Sequence, residues 1–157
     1  MTKPLAVITG ASSGIGEATA KVFSEAGYPT LLLARRVEIM ESFNLKNSIC
    51  KKVDVRDRDA LVAAVREAEE TYGPTDMMFN NAGVARLADI STQDPNEWDE
   101  MIDVNTKGVM NGIYAVMSDM KARKSGTIVN MSSIAVSYTH LRAHETRGNL
   151  VCRLLLE

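Results

Sequence analysis

The chain has 157 residues, of which 45% are hydrophobic and 24% charged, and its formal net charge is −2. This composition is typical of one globular domain with an apolar core, and it excludes a disordered or collagen-like chain. The charge balance provides no basic surplus for nucleic-acid binding, and no apolar run approaches the roughly 20 residues that span a bilayer. Two cysteines without paired spacing, Cys50 and Cys152, and no secretory signal predict a reducing, cytoplasmic location.

Short apolar runs alternate with longer segments of helical period, which is the pattern of βαβ units and a parallel sheet. The predicted strands are Leu5–Thr9, Thr30–Ala34, Cys50–Val55, Asp76–Asn80 and Thr127–Met131. The predicted helices are Ile15–Ala26, Asp57–Tyr72 and a long helix from Pro95 to Arg123 with Asp94 as its N-cap.

The first two predicted helices each have an apolar face that we expect to pack on the sheet. In the first helix this face carries Ile15, Ala18, Val22 and Phe23. In the second it carries Leu61, Val62, Val65 and Ala68. The long helix has a polar-to-apolar pattern that persists through Trp98, Ile102, Val109, Ile113 and Met117.

The first predicted strand runs into TGASSGIG, residues 9–16, a glycine-rich turn between a strand and a helix. Gly10 permits the tight turn, Gly14 lets the backbone approach a pyrophosphate, and Gly16 allows the helix to pack closely on the strand. The ligand's negative charge would lie at the helix N-terminus. Three glycines alone fit an ordinary strand-to-helix turn equally well, so further motifs have to decide.

Four such motifs follow in order, and with them residues 1–135 resemble the short-chain dehydrogenase/reductase family. They are Asp54–Val55 after the third strand, NNAG at residues 80–83, Asn105 in VNTKG, and Ser132–Ser133 in IVNMSSIA. The resemblance implies an α/β fold, a Rossmann-type doubly wound parallel sheet with strand order 3-2-1-4-5, truncated here before the C-terminal strands. It also implies an oxidoreductase that transfers a hydride between nicotinamide and a small alcohol or carbonyl substrate.

The resemblance assigns roles to individual residues. Asp54 and Val55 contact adenine, Asn105 holds a water in a proton relay, and Ser133 is the catalytic serine that orients the substrate oxygen. The positions expected to bind the cofactor are Gly10, Ser12, Ser13, Gly14, Ile15, Gly16, Arg35, Arg36, Asp54, Val55, Asn81, Ala82 and Gly83.

The end of the second predicted strand indicates which cofactor is used. A carboxylate there would accept hydrogen bonds from the ribose 2′-hydroxyl of NAD, but this chain has Ala34, followed by Arg35 and Arg36. A guanidinium can bind a 2′-phosphate, so NADP is favoured over NAD, with Arg35 as the better candidate. Arg36 would stack on adenine or be solvated. The alternative is that both are surface arginines that open a short helix.

The family's catalytic tyrosine, with a lysine four residues later, is missing from the expected place a dozen or so residues beyond Ser133. Position 146 is threonine, and no lysine follows Lys124. Tyr138 and Arg142 have a similar spacing, but Tyr138 lies only five residues after Ser133, and arginine is a poor substitute for that lysine. We therefore expect an inactive fragment of an enzyme. The alternative is a non-catalytic dinucleotide-binding or sensor protein that naturally lacks the pair.

The last 22 residues, 136–157, do not continue the strand and helix pattern. Residues 136–146 and 150–157 resemble the in-frame translation of the two constant parts of a transposase-type sequencing adapter, with a sample index between them. We therefore expect an incomplete NADP-binding Rossmann domain at residues 1–135 and a non-native tail at 136–157.

Both histidines and Cys152 lie in that tail, so no metal site is expected. For the complete protein the resemblance implies a homo-oligomer built on the long helix. In this chain Ile113, Val116 and Met117 would then stay exposed, and the fifth predicted strand would form an apolar edge.

Overall fold

The computed structural model describes residues 3–86, 88–89 and 91–132, and this part of the chain forms one parallel sheet flanked by helices on both faces. The sheet has five strands in the order β3-β2-β1-β4-β5, and every adjacent pair is parallel. The strands are β1 (Leu5–Thr9), β2 (Thr30–Ala34), β3 (Ser48–Lys52), β4 (Thr75–Asn80) and β5 (Thr127–Asn130). The predicted α/β class and strand order are confirmed.

Five α-helices connect these strands in the described ranges. They are α1 (Gly14–Glu25), α2 (Val37–Glu41), α3 (Arg58–Tyr72), α4 (Pro95–Ile102) and α5 (Gly108–Arg123). A π-helical turn, Asp103–Lys107, joins α4 to α5, so the long predicted helix is interrupted at its middle. The side chain of Asp57 caps α3 and that of Asp94 caps α4, as residues of this type do at helix N-termini.

The two faces of the central strands form two apolar layers because successive side chains of a strand point to opposite sides. Leu5, Val7, Leu31 and Leu33 pack with α3 and α5, and Ile8 and Leu32 pack with α1 and α2. The strands β1 and β2 are buried along their whole length, as expected for the centre of a sheet covered on both faces.

The apolar face predicted for α1 is wrong. Ile15 and Val22 are 58% and 61% exposed, while Gly16 and Ala20 face the sheet. A side chain at Gly16 would overlap the backbone of the preceding loop, so only a small residue permits this close approach. For α3 the prediction is confirmed at Leu61, Val65 and Ala68, which are buried, with Val62 half-buried beside them.

The apolar pattern of the long predicted helix does not mark a buried face throughout, since Trp98 and Ile102 are exposed. The buried face of α5 consists of small and polar residues together with two larger apolar ones: Gly108, Asn111, Gly112, Ala115, Val116 and Met120. The expectation that Val116 is exposed is wrong, because it is 1% exposed. Ile113 and Met117 are half-buried, and the exposed apolar side chains of this helix are Met110 and Tyr114.

The ends of the third and fifth strands differ from the prediction. β3 covers Ser48–Lys52 instead of Cys50–Val55, so Asp54 and Val55 lie in the segment that we call the β3–α3 loop, residues 53–57. In the described residues β5 is an edge strand, but Ile128 in it is buried. The exposed large apolar residue at this edge is Met131, which lies just beyond the strand. No helix in the described ranges combines the length and the hydropathy needed to cross a bilayer.

Candidate functional site

A cleft of about 580 Å³ opens at the carboxyl ends of the central strands. In a doubly wound sheet this is the edge where ligands bind, because the chain turns away from the sheet in opposite directions beside β1. All the residues predicted to bind the cofactor line this cleft except Gly14 and Gly16. Ile15 is one of the lining residues, which accounts for the exposure of its side chain.

The glycine-rich turn lies against the segment after β4. Gly10 has a φ of +65°, and a Cβ on it would lie 2.7 Å from the Ala82 Cα. Gly16 lies below the turn, where a Cβ would be 2.6 Å from the Asn81 Nδ2 and would overlap the Gly10 carbonyl. Both positions therefore require glycine for close packing, and Gly10 requires it also for its positive φ. These contacts explain why Gly16 supports the cleft without lining it.

The N-terminus of α1 carries backbone N–H groups without a capping side chain. Ser13 occupies the N-cap position but makes no side-chain capping hydrogen bond. The first N–H groups of a helix have no partner within the helix, and together with the helix dipole they favour an anion. The cleft therefore offers hydrogen-bond donors at the place where the glycine motif predicts a pyrophosphate.

Thr9 joins the two loops that form the floor of the cleft. Its Oγ1 accepts hydrogen bonds from the backbone N–H groups of Asn81 and Ala82, both at 3.0 Å. The Asn81 Nδ2 donates in return to the carbonyls of Thr9 at 3.0 Å and Gly10 at 3.3 Å. Asn81 thus acts as a cross-link between loops. Thr9 was not among the predicted site residues, and its only sequence signal is a hydroxyl at the end of a buried strand.

The neighbouring Asn80 lies behind the cleft, buried between the sheet and α5. Its Nδ2 donates to the Asn130 Oδ1 at 2.9 Å, pairing β4 with β5. Its own Oδ1 is buried, has no hydrogen-bond partner in the described part of the chain, and faces the backbone of Gly112. This side chain therefore stabilises the sheet and approaches α5 closely, which is possible only because Gly112 has no side chain.

Arg36 lies across the glycine-rich turn. Its Nη2 is 3.3 Å from the hydroxyl oxygens of both Ser12 and Ser13. Arg35 lines the same cleft, and Arg36 directly precedes α2. The alternative, that the two arginines open a short helix, is therefore correct as a description of the backbone. Both arginines nevertheless line the cleft. Arg36 and the hydroxyls of Ser12 and Ser13 form a positively charged corner of it, with Arg35 beside them.

Asp54 forms a bidentate ion pair with Arg56. The Nε and Nη2 atoms of Arg56 lie 2.9 and 2.6 Å from the two carboxylate oxygens, and the backbone N–H of Arg56 donates to the Oδ1 at 3.0 Å. These hydrogen bonds hold the pKa of Asp54 below its ordinary value, with the positive charges of Arg56 and Arg35 adding to the effect. The carboxylate is therefore ionised and oriented at the rim of the cleft.

Replacing Arg56 by glutamine is expected to raise the pKa of Asp54 towards its ordinary value, because the charged donor is lost. The pKa of Asp54 is lower in the folded than in the unfolded chain. Ionised Asp54 therefore stabilises the fold at pH values above its unfolded pKa, and this contribution is lost as the pH falls through its folded pKa. As the pH falls from the unfolded to the folded pKa of Asp54, the variant should therefore lose less free energy of unfolding than the unaltered chain. A carboxyl ¹³C NMR titration measures the pKa of Asp54. Asp89 is the control, because hydrogen bonds from Ser91, and not from Arg56, lower its pKa. An unchanged pKa at Asp54 would contradict the assignment.

Asn105 lies on the π turn, next to Gly83 of the cleft. Its Oδ1 accepts from the backbone N–H of Val84 at 2.9 Å, and its Nδ2 donates to the carbonyl of the same residue at 2.8 Å. Both ends of the amide therefore bind the segment after NNAG. The predicted role of Asn105 in holding a water stays a prediction, whereas its contact with Val84 is a structural one.

The remaining catalytic candidate, Ser133, lies outside the described residues, as do Tyr138 and the whole segment 136–157. Ser132, at the end of the described part, is exposed. No group of three His, Cys, Asp or Glu side chains within the described ranges is arranged to hold a metal ion. The assignment of individual site residues to cofactor and catalysis therefore stays a prediction.

Comparison with known proteins agrees with this geometry. A family model described as short chain dehydrogenase matches residues 4–143. An uncharacterised oxidoreductase of Listeria monocytogenes is 44% identical over 135 residues, which cover 82% of this chain and 54% of that protein. The acetoacetyl-CoA reductase of Paracoccus denitrificans is 39% identical over 132 residues, with 83% and 54% covered. The chain thus spans about half the length of the curated relatives it matches.

Solved structures show the same likeness in three dimensions. A metagenomic short-chain oxidoreductase crystallised with NADP superimposes with a TM-score of 0.78 at 33% identity, covering 86% of this chain and 64% of that one. Members of the family bind nicotinamide cofactors. The fold, the cleft and the matching sequences together show that the chain belongs to the short-chain dehydrogenase family of oxidoreductases.

Proposed function

We propose that the protein is an NADP-dependent oxidoreductase that transfers a hydride between nicotinamide and a small alcohol or carbonyl substrate. The observation that carries the cofactor choice is the corner formed by Arg36 with the hydroxyls of Ser12 and Ser13. With Arg35 beside it and Ala34 where a carboxylate would select NAD, this corner suits a 2′-phosphate. The NADP complex of the metagenomic relative supports the same choice.

The other lining residues fit the remaining parts of the cofactor. The uncapped N-terminus of α1 would hold the pyrophosphate, since its N–H groups have no capping side chain. Asp54 would accept hydrogen bonds from the amino group of adenine, and Ala82 and Gly83 would line the site without obstructing it. When bound, the cofactor supplies or receives the hydride. Ser133 would orient the oxygen of the substrate.

Titration calorimetry with NADPH and NADH tests the cofactor choice. We expect the chain to bind NADPH at least about tenfold more tightly than NADH, because the 2′-phosphate gains charge-assisted hydrogen bonds. The double variant R35A/R36A should bind the two equally. Lys121→Ala removes a charge from the far end of α5, away from the cleft, and should change neither affinity. Equal or tighter binding of NADH by the unaltered chain would contradict the proposal.

We further propose that residues 1–135 are an incomplete cofactor-binding domain and that the chain alone reduces no carbonyl, since it has no Tyr-x-x-x-Lys motif beyond Ser133. Source DNA that reads through such a motif downstream of codon 135, with carbonyl reduction by the encoded protein, would support the enzyme. Native DNA that encodes the same tail through Glu157 would support the non-catalytic dinucleotide-binding or sensor protein. A cytoplasmic location and a homo-oligomeric complete protein stay predictions.

A further inference from the structure

The β3–α3 loop is fastened to α5 by a buried asparagine. Asn111 is 4% exposed, and its Nδ2 donates to the carbonyl oxygens of Val55 at 2.8 Å and Arg56 at 3.4 Å. These two carbonyls directly follow Asp54 in the chain. The loop has left the sheet by this point, because β3 ends at Lys52. Its backbone at residues 55–56 is held by a side chain 55 residues further along the chain and by the turn hydrogen bond from the Asp57 N–H to the Asp54 carbonyl, and no longer by the strand ladder.

Arg58 determines which way the amide of Asn111 faces. Its Nε donates to the Asn111 Oδ1 at 3.0 Å. A guanidinium can only donate and a backbone carbonyl can only accept, so this arrangement directs the Nδ2 towards the loop. The Arg58 guanidinium lies 5.4 Å from the centre of the Tyr114 ring, which further holds it in place. The orientation of Asn111 is thus set by groups that the cleft does not include.

A second residue of the same helix face supports the loop. Gly108 lies one turn before Asn111, and a Cβ on it would be 2.6 Å from the Val55 Cγ2 and 3.1 Å from the Val55 Cβ. The Val55 side chain therefore packs directly on the helix backbone. Together the missing side chain at Gly108 and the amide at Asn111 bring the loop against α5.

We propose that Asn111 is a positioning residue for the adenine half of the cofactor, acting through the β3–α3 loop and not by touching the ligand. The inference rests on the proposed function, since it concerns the same cleft. Asp54 is oriented by Arg56, whose side chain is itself exposed at the surface. Among the described residues, all hydrogen bonds to this carboxylate come from Arg56, so its position depends on the backbone that carries both residues. Asn111 is the buried side chain that donates hydrogen bonds to that backbone.

The test is the affinity of the chain for adenosine 2′,5′-bisphosphate and for NADPH, measured by calorimetry. Asn111→Asp keeps the size of the side chain and the contact with Arg58 but places an acceptor against two carbonyls. Asn111→Leu removes all three hydrogen bonds. Because the loop loses its buried donor in both variants, we expect both dissociation constants to rise about tenfold. Gly108→Ala should weaken binding in the same direction by displacing Val55, without removing a hydrogen bond.

Val116→Ala is the matched control, because it removes buried volume from the same helix away from the loop. It should lower the melting temperature without changing either dissociation constant. A further readout is the set of backbone amide chemical shifts of residues 53–56 in the free chain, which the Asn111 variants should change and Val116→Ala should not. Dissociation constants within twofold of the unaltered chain in the Asn111 variants would overturn this inference alone. If the unaltered chain binds neither ligand, the proposed function is overturned with it.

Discussion

Replacing Gly16 by alanine is expected to abolish cofactor binding and to lower the free energy of unfolding by about 3 kcal/mol. The added Cβ would lie 2.9 Å from the Gly10 carbonyl carbon and 2.6 Å from the Asn81 Nδ2, and it would overlap the carbonyl oxygen. The first of these neighbours is backbone and cannot rotate away. The turn must move, and with it the N-terminus of α1 and the cross-link between Asn81 and the end of β1.

Urea denaturation and NADPH calorimetry measure the two effects of Gly16→Ala. Gly27→Ala is the matched control, because it makes the same chemical change just beyond the other end of α1. Gly27 has a φ of +80° but open space around its missing side chain, so this variant should cost about 1 kcal/mol and leave the affinity unchanged. Binding of NADPH by Gly16→Ala within threefold of the unaltered chain would contradict the proposed closeness of helix and loop.

Replacing Gly112 by alanine is expected to destabilise the fold by about 3 kcal/mol, although the same change in an exposed helix stabilises it by up to about 1 kcal/mol. The added Cβ would lie 2.6 Å from the Met78 Cε and 2.9 Å from the Asn80 Cγ, and it would overlap the buried Asn80 Oδ1. Met78 can shift its terminal methyl, but Asn80 is held by its hydrogen bond to Asn130. The helix must therefore move away from β4.

Thermal and urea denaturation measure the stability of Gly112→Ala. Met110→Ala, two positions earlier on the exposed side of α5, is the control and should change the free energy of unfolding by no more than about 0.5 kcal/mol. If Gly112→Ala instead stabilised the protein, helix propensity would outweigh the contact with Asn80, and the packing described between α5 and the sheet would be incorrect.

Local pattern was a good guide to which elements form and in what order. The alternation of apolar runs and helical segments identified all five strands, and Asp57 and Asp94 marked the starts of α3 and α4. These features depend on neighbouring residues, so they are readable without the fold. The short helix α2 was expected only as the alternative for Arg35 and Arg36, because five residues are too few for a periodic pattern.

The faces of the helices were harder to predict. Hydrophobic periodicity selects the largest apolar side chains, and it therefore placed Ile15 and Val22 inward on α1. The structure packs glycine and alanine against the sheet there instead, because the helix approaches the loop backbone closely. On α5 the buried face likewise includes Gly108, Asn111 and Gly112, a combination that no apolar pattern would select.

By itself the sequence determined the order of the strands and of most helices, the family and most of the residues that line the cleft, because the motifs of this family lie at the ends of consecutive strands. The tertiary structure alone decided what those residues do to one another. In the folded chain Asn81 hydrogen-bonds to the end of β1, and Arg36 contacts the hydroxyls of two serines. Asn111 donates a hydrogen bond to the loop that carries Asp54. Such contacts join residues 23 to 72 positions apart, and only the packing of helices on the sheet brings them within hydrogen-bond distance.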